Sequence, residues 1–379
     1  MWKIYSIYTS GTGVDMIKIL YVNGGTMDRG GVSTFMMNVY EKMHSEKIQI
    51  DFLVHTLSTG VRDEDILNLG GKIYRVPARG KNPLQNYRQI KQIMLNGKYD
   101  VVHAHADAGN STILSIAKKC NIPIRISHCH NTNYTNKSLL KRFLNDQFKK
   151  QIPKYATHLW ACSEKAGEWL YGNHSFEVIP NAIDVQKFIY SPQLSKDLRK
   201  ELNLENKFVI GHVGRFDYQK NHDFLLKVFA EVVHEREDAH LVLIGKGELE
   251  EVIKTQADQL GILDKISFLG ESSNVNKLIN VFDVGVFPSL FEGFGIAVLE
   301  MQVNGLPLVV SDTVPSEIDL TDNIRFLSLD ETVKYWCKTI LDTKGRDNGA
   351  VDKIIAKGYN LSDMVNKLTK TYERIVDKS

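Results

Sequence analysis

The sequence predicts an α/β protein of two doubly wound, Rossmann-like domains facing each other across a cleft. Three observations predict it. Short apolar strand candidates alternate with helical patterns along the whole chain, the rhythm of a parallel sheet covered by helices. At 379 residues the chain is long for one hydrophobic core and comfortable for two. A stretch with two prolines and no periodicity, Pro180 to Pro192, breaks the rhythm near the middle and reads as a hinge.

Strands are expected in the first half at residues 17–22, 50–53, 72–76, 101–104, 124–127, 158–161 and 177–179, each a short run rich in Val, Ile and Leu. Helical spacing of apolar residues marks 33–43, 84–96 and 112–119 between them. The second half repeats the pattern, with strands at 208–213, 240–244, 266–269, 284–287 and 307–310. Met364, Leu368, Tyr372 and Ile375 then recur at helical spacing. The division is therefore residues 1–185 for an N-terminal domain, 186–360 for a C-terminal domain, and 361–379 for a last helix. Ligands of such sheets bind beyond the C-terminal strand ends, so both domains offer those ends to the cleft.

Composition excludes several classes. Hydrophobic residues make up 43% and charged residues 24%, ordinary globular values that argue against disorder or a fibre. No run approaches the roughly 20 apolar residues of a membrane-spanning helix. MWKIYSIYTSGTGVD has one Lys and no sustained apolar core, unlike a secretory signal. Because the first strand starts just after Met16, residues 1–15 read as an appended or alternative start. Four scattered cysteines show neither metal-ligand nor disulfide spacing, so a reducing cytoplasm is expected. Residues 1–185 hold 23 Lys and Arg against 15 Asp and Glu, and the rest hold 24 against 30. This asymmetry suggests an anionic partner for the first half. Without an Arg-rich helix or an aromatic-basic platform, nucleic acid is not expected.

The most informative stretch is FDVGVFPSLFEGFGIAVLEMQVNGLPLVVSD, from Phe282 to Asp312. A strand runs through Glu292, Gly293 and Gly295 into a helical pattern that carries Glu300. Glycines leading into a helix start present free N–H groups and a positive dipole end, which suit phosphate. Two carboxylates beside them suit sugar hydroxyls, because an ionised carboxylate only accepts. Upstream, VIGHVGRFDYQKN places Gly214 and Arg215 at a strand end and Lys220 at a helix start. Two cations there form a diphosphate clamp, with charge-assisted bonds of about 1.5–3 kcal/mol each. In VNGGTMDRGGVSTF, Gly24, Gly25, Gly30 and Gly31 let backbone approach a ligand closely. No G-x-G-x-x-G follows the first strand, which counts against a nicotinamide dehydrogenase.

Two histidine pairs end strands, His103 with His105 and His128 with His130. Without clustered acids or a third ligand at recognisable spacing, no metal site is expected. Polar contact with a sugar or acceptor is expected instead, one histidine of each pair facing the core. Residues 138–151 place Leu140, Phe143, Leu144 and Phe148 at helical spacing among Lys137, Lys141, Arg142, Lys149, Lys150 and Lys154. This basic amphipathic pattern suits an anionic membrane surface, or simply a solvated face.

In conjunction, Glu292 with Glu300, the GR…QKN element, the FLG turn at residues 268–270 and IPNAID at 179–184 resemble glycosyltransferase family 4, of GT-B fold. The resemblance covers nearly the whole chain from about Met16. GGTMDRGGVSTF and SHCHNT look most like bacterial capsular and exopolysaccharide transferases. Ala182 stands where the family usually has Gly, a departure that touches the hinge loop rather than the chemistry.

The resemblance implies roles. Arg215 and Lys220 hold the donor diphosphate and stabilise the departing nucleotide. Glu292 contacts donor-sugar hydroxyls beside the backbone of Phe294 and Gly295, and Glu300 binds the ribose. Gly31 meets the phosphates, and His130 lies near the transferred sugar with His128 as a competitor. Gly214, Gly245, Gly247, Asn274 and Val275 line the nucleotide pocket, and His105 and His128 face the acceptor. The last helix crosses back to the first domain. The implied activity is metal-independent, retaining hexosyl transfer from a nucleotide-sugar, UDP-linked by family frequency, to a saccharide or lipid-linked acceptor. The nucleotide-sugar is a substrate, so no cofactor is expected. The alternative is a non-catalytic nucleotide-sugar-binding partner subunit of another transferase.

Overall fold

The parallel arrangement follows from strands that are apolar on both faces. In the computed structural model, which describes residues 16–28, 30–43, 47–134 and 138–378, Ile19, Leu20, Tyr21 and Val22 are all fully buried. A strand buried on both sides needs helices on both sides, which parallel crossovers supply. The candidate extra start, residues 1–15, lies outside the described residues.

The first sheet contains β1 (Ile17–Asn23), β2 (Ile48–Val54), β3 (Ile73–Arg75), β4 (Val101–His105), β5 (Ile124–Cys129), β6 (His158–Ala161) and β7 (Glu177–Val178). Their spatial order is β3-β2-β1-β4-β5-β6-β7, all pairs parallel, with Ile19 opposite Ile50 on one side and Val101 on the other. The second sheet contains β8 (Phe208–Val213), β9 (Ala239–Ile244), β10 (Ile266–Phe268), β11 (Val284–Phe287), β12 (Leu308–Ser311) and β13 (Ile324–Leu327). Its order is β10-β9-β8-β11-β12-β13, again parallel throughout. Strand order therefore reverses between β1 and β4 and between β8 and β11. Such reversals open a crevice at the strand ends, where ligands of doubly wound sheets bind.

β13 has no counterpart among the expected strands. Its sequence is IRFL, an edge strand with Arg325 exposed, too short and too polar to register as an apolar run.

The chain crosses between domains twice, side by side. Ile183 N–H donates to the Tyr359 carbonyl at 3.1 Å, and Leu361 N–H donates to the Ile183 carbonyl at 2.9 Å. The final helix, Leu361–Asp377, then packs on the first domain. Leu361, Met364, Val365, Leu368 and Tyr372 form its buried stripe against Phe35, Met36 and Tyr40. Fully burying side chains of this size contributes about 1.5–3 kcal/mol each, which anchors the helix to the first domain. The Tyr372 hydroxyl lies 3.1 Å from that of Tyr21 and 2.6 Å from His103 Nδ1.

Candidate active site

In the second domain, β8 is followed by Gly214, where a Cβ would come within 3.0 Å of Lys220 Cε and 3.1 Å of His212 Nε2. Arg215 follows. The Asp217 carboxylate then accepts from the N–H groups of Gln219 (3.0 Å) and Lys220 (3.4 Å), tightening one helical turn. Asn221 adopts a left-handed φ of 54° and donates to the Pro288 carbonyl at 3.1 Å. That bond ties the helix His222–Glu235 to the loop after β11 and brings Lys220 against Glu292.

Lys220 Nζ and Glu292 Oε1 are 2.5 Å apart, with side chains 16% and 7% exposed. Ser289 Oγ donates to the same oxygen at 2.8 Å, and Gln219 Nε2 donates to Oε2 at 3.2 Å. Behind this pair lie His212 and His222, both buried. Burial, with the charge of Lys220 beside it, holds His212 at about 4 although its Nδ1–H donates to the Val286 carbonyl. Burial and the neighbouring His212 hold His222 at about 2. Both rings are neutral near pH 7 and add no charge.

Gly295, at φ 94°, opens the helix Ile296–Val303 with no side-chain cap, leaving its first N–H groups available. Glu300 projects from this helix, half-buried and without a bonding partner among the described residues. Burial alone raises its pKa to about 8. Phe294 is 2% exposed and its ring stacks on Tyr359, centroids 5.3 Å apart, so its side chain is a core group.

Gly245 and Gly247 follow β9 and permit close packing of backbones. A Cβ on Gly245 would meet the Gly214 carbonyl oxygen at 1.9 Å, and one on Gly247 would meet the Phe216 oxygen at 2.3 Å. Asn274 and Val275 begin the one-turn helix Val275–Leu278 that follows β10.

The first domain closes over this surface. Gly31 opens the helix Gly31–Met43, and a Cβ there would lie 3.8 Å from Ile296 Cδ1 of the second domain. Asp28 accepts from Arg215 Nη2 at 2.7 Å across the cleft. Thr132 Oγ1 donates to the Glu292 carbonyl at 2.6 Å, and Ser163 Oγ donates to that of Gly293 at 2.8 Å. Gly293 lies so near His130 that a Cβ would fall 1.7 Å from the His130 carbonyl oxygen. The loop carrying Glu292 therefore belongs to the second sheet in sequence but is clasped by the first domain.

The histidines depart from expectation. β4 continues through His105 and β5 through Cys129, so the alternation of strand side chains is not interrupted and both members of each pair share a face. All four rings are buried, at 0% for His103 and His128, 3% for His105 and 7% for His130. His103 Nε2 lies 3.1 Å from His128 Nδ1, and His105 Nδ1 lies 2.8 Å from His130 Nε2. Tyr21, Phe35, Trp160 and Tyr372 enclose them. His128 is thus an interior group, not an acceptor contact, and His105 is nearly so. Burial is the leading cause that holds each imidazole below its usual range, His130 at about 3. His130 sits nearest the clasped loop. Nitrogens of His103, His105 and His128 lie within 4.8 Å of one another, a third ligand that sequence spacing did not reveal. His103 is bonded through both nitrogens, to His128 and Tyr372, whereas His105 Nε2 and His128 Nε2 have no hydrogen-bond partner, and no carboxylate among the described residues joins the three rings.

Residues 138–151 form the helix Leu139–Lys149, capped by Ser138, and its continuation. Leu140, Phe143 and Leu144 are exposed at 69%, 60% and 47%. Lys149 is not a free surface cation, because its amine lies 3.8 Å from Asp146 and 4.2 Å from the centre of the Trp169 ring.

Sequence reasoning missed Asp28, Thr132, Ser163, Gln219 and Ser289. The acid within the glycine loop was a usable signal for Asp28. Thr132, Ser163 and Gln219 pair with groups 160, 130 and 73 positions away, too distant to mark themselves, and Ser289, three residues before Glu292, carries no signal of its own.

The family model "Glycosyltransferase Family 4" matches residues 29–187, and "Glycosyl transferases group 1" matches residues 195–323. The Bacillus subtilis (strain 168) protein EpsF, named as a glycosyltransferase, is 35% identical over 375 residues, covering 95% of this chain and 97% of that one. An Escherichia coli protein named UDP-Gal:alpha-D-GlcNAc-diphosphoundecaprenol alpha-1,3-galactosyltransferase is 24% identical over 377 residues, covering 92% and 95%. Among solved structures, Anabaena Alr3699/HepE in complex with UDP-glucose superposes with a TM-score of 0.78 at 17% identity, over 94% of this chain and all of that one. The glycosyltransferase WaaG superposes at 0.67 with 14% identity, over 93% and 95%. The two facing Rossmann-like domains are a GT-B fold. The chain belongs to the family 4 glycosyltransferases and resembles those of exopolysaccharide synthesis.

Proposed function

We propose that this protein transfers a hexose from a UDP-sugar to a lipid-linked or saccharide acceptor, with retention of anomeric configuration, in surface polysaccharide synthesis. The observation that carries the reading is the meeting of Arg215, Lys220, Glu292 and an uncapped helix start around the β8–β11 switch point. In this reading Arg215, Lys220 and the N–H groups after Gly295 receive the diphosphate, and Glu300 receives the ribose hydroxyls. Gly214, Gly245, Gly247, Asn274 and Val275 line the base and ribose pocket, and Gly31 approaches the phosphates from the first domain. The backbone of Phe294 and Gly295 and the carboxylate of Glu292 meet the sugar, with His130 on its far side.

The chemistry is leaving-group stabilisation. Negative charge develops on the diphosphate as the glycosidic bond breaks, where two cations and a helix start are already oriented. One such preorganised donor contributes about 3–4 kcal/mol. Because Arg215 and Lys220 supply the charge, the reaction is proposed to need no divalent ion. The E. coli relative's name, which specifies a UDP-Gal donor and a diphosphoundecaprenol acceptor, supports this donor and acceptor type. No described helix is long and apolar enough to cross a membrane. Peripheral attachment to the cytoplasmic membrane face is proposed through Leu140, Phe143 and Leu144 with their flanking cations. The test is transfer to an undecaprenyl-diphosphate-linked sugar in the presence of chelator, with the anomeric configuration of the product read by NMR. Activity that requires Mg2+ or Mn2+, or an inverted product, refutes this mechanism.

A further inference from the structure

Two of the cations that face the cleft, Lys220 and Arg215, are each engaged by a carboxylate of the protein itself. Lys220 is held by Glu292 from the same domain. Arg215 is held by Asp28, which comes from the glycine loop of the other domain and lies 187 positions away in sequence. The two Asp28 oxygens have separate work. Oδ1 accepts from Gly30 N–H at 2.8 Å and from the Ser33 hydroxyl at 3.2 Å, which shapes the loop. Oδ2 accepts from Arg215 Nη2 at 2.7 Å, and this contact crosses the cleft.

We infer that Asp28 is a positioning residue that acts through Arg215. It is a built-in anion that occupies the guanidinium until the donor diphosphate displaces it, and it reclaims Arg215 as the nucleoside diphosphate leaves. The inference rests on the proposed role of Arg215 as a diphosphate ligand. Its physical basis is competition for one group. Asp28 engages a single guanidinium nitrogen, whereas phosphate oxygens engage the fork of a guanidinium in two-point fashion. The Arg215 and Asp28 side chains are 55% and 34% exposed, so the contact is readily broken by a better anion and weakened by salt. The consequence is a divided effect on the reaction. Asp28 weakens binding of substrate and product alike, holds the domains together when the cleft is empty, and hastens release of the spent nucleotide.

Asp28→Asn tests this directly, because an amide oxygen still accepts from Gly30 and Ser33 while the charge at Arg215 is removed. Calorimetric titration with UDP should show affinity about tenfold tighter than wild type at low salt, the gain shrinking at high salt. KM for the donor should fall. kcat should fall as well if product release limits turnover, and otherwise stay constant. In an Arg215→Gln background the same substitution should leave UDP affinity unchanged, closing a double-mutant cycle. Unchanged or weaker UDP binding by folded Asp28→Asn protein overturns the inference, as does a gain that persists in the Arg215→Gln background. Wild type that binds none of UDP, GDP or ADP refutes the underlying reading of the site instead.

Discussion

Replacing Lys220 removes one partner of an almost buried ion pair, so the loss should register in stability as well as in turnover. With Lys220→Met, the Glu292 carboxylate stays 7% exposed and keeps only the Ser289 hydroxyl and the Gln219 amide. Stranding one member of a buried pair costs about 3–5 kcal/mol. The two remaining charge-assisted bonds offset part of this, so a loss of about 2–4 kcal/mol is expected. For a domain of this size each kcal/mol moves the melting temperature by about 2–4 °C, giving a shift on the order of 10 °C. Adding Glu292→Gln removes the stranded charge and should restore most of the loss, because the amide still accepts from Ser289. Both variants should lack transfer activity, since both lose the cation proposed for the diphosphate. Urea titrations of wild type, both single variants and the double variant, followed by tryptophan fluorescence, measure the coupling. A Lys220→Met protein as stable as wild type would refute the reasoning, as would a double variant no more stable than that single one.

Other outcomes follow from buried ionisable groups and from the exposed helix. Glu300, held at about 8 by burial, keeps its proton near pH 7 in the empty site. If ribose hydroxyls favour the ionised form, UDP affinity rises between pH 6 and about pH 8.5, and Glu300→Gln abolishes that slope. Its stability effect has the opposite sense: the fold retains a proton that the unfolded chain has lost, so this contribution declines as pH rises from about 4.5 through 8. The four clustered histidines, all pushed below the usual imidazole range, make the first domain acid-sensitive. The unfolded chain takes up protons below about pH 6.5 that the fold refuses, so stability falls toward pH 4, and His130 alone should cost about 2 kcal/mol by pH 5. A flat urea midpoint from pH 7 to 4.5 contradicts this. Replacing Leu140, Phe143 and Leu144 with Ser should release the protein from anionic vesicles without changing donor hydrolysis, whereas Lys149→Gln should chiefly loosen packing on Trp169.

The doubly wound fold was legible because strands buried on both faces are written as short apolar runs. β8, β11 and β6 stand at their expected residues for this reason. β13 was not legible, since an edge strand with exposed Arg325 carries little of that signal. At the site, Arg215 and Lys220 stand after a strand and before a helix as the sequence placed them, but the side chains that meet them were not legible. Arg215 with Asp28, and Thr132 with the Glu292 backbone, join segments 187 and 160 positions apart, and no local pattern encodes such meetings. The histidines misled because β4 runs on through His105, and His130, one residue past the end of β5, still stacks its ring on that of His128, so all four rings fall in one interior cluster.

Donor hydrolysis, measured in parallel with UDP-, GDP- and ADP-sugars for wild type and Arg215→Gln, tests the proposed donor site most directly. The expected result is slow release of the sugar from one nucleotide class, UDP-linked, with the rate falling at least about a hundredfold in the variant while its melting temperature stays within a few degrees of wild type. Hydrolysis of UDP-sugars by Arg215→Gln at the wild-type rate, or no binding or hydrolysis of any nucleotide-sugar by wild type, would contradict it.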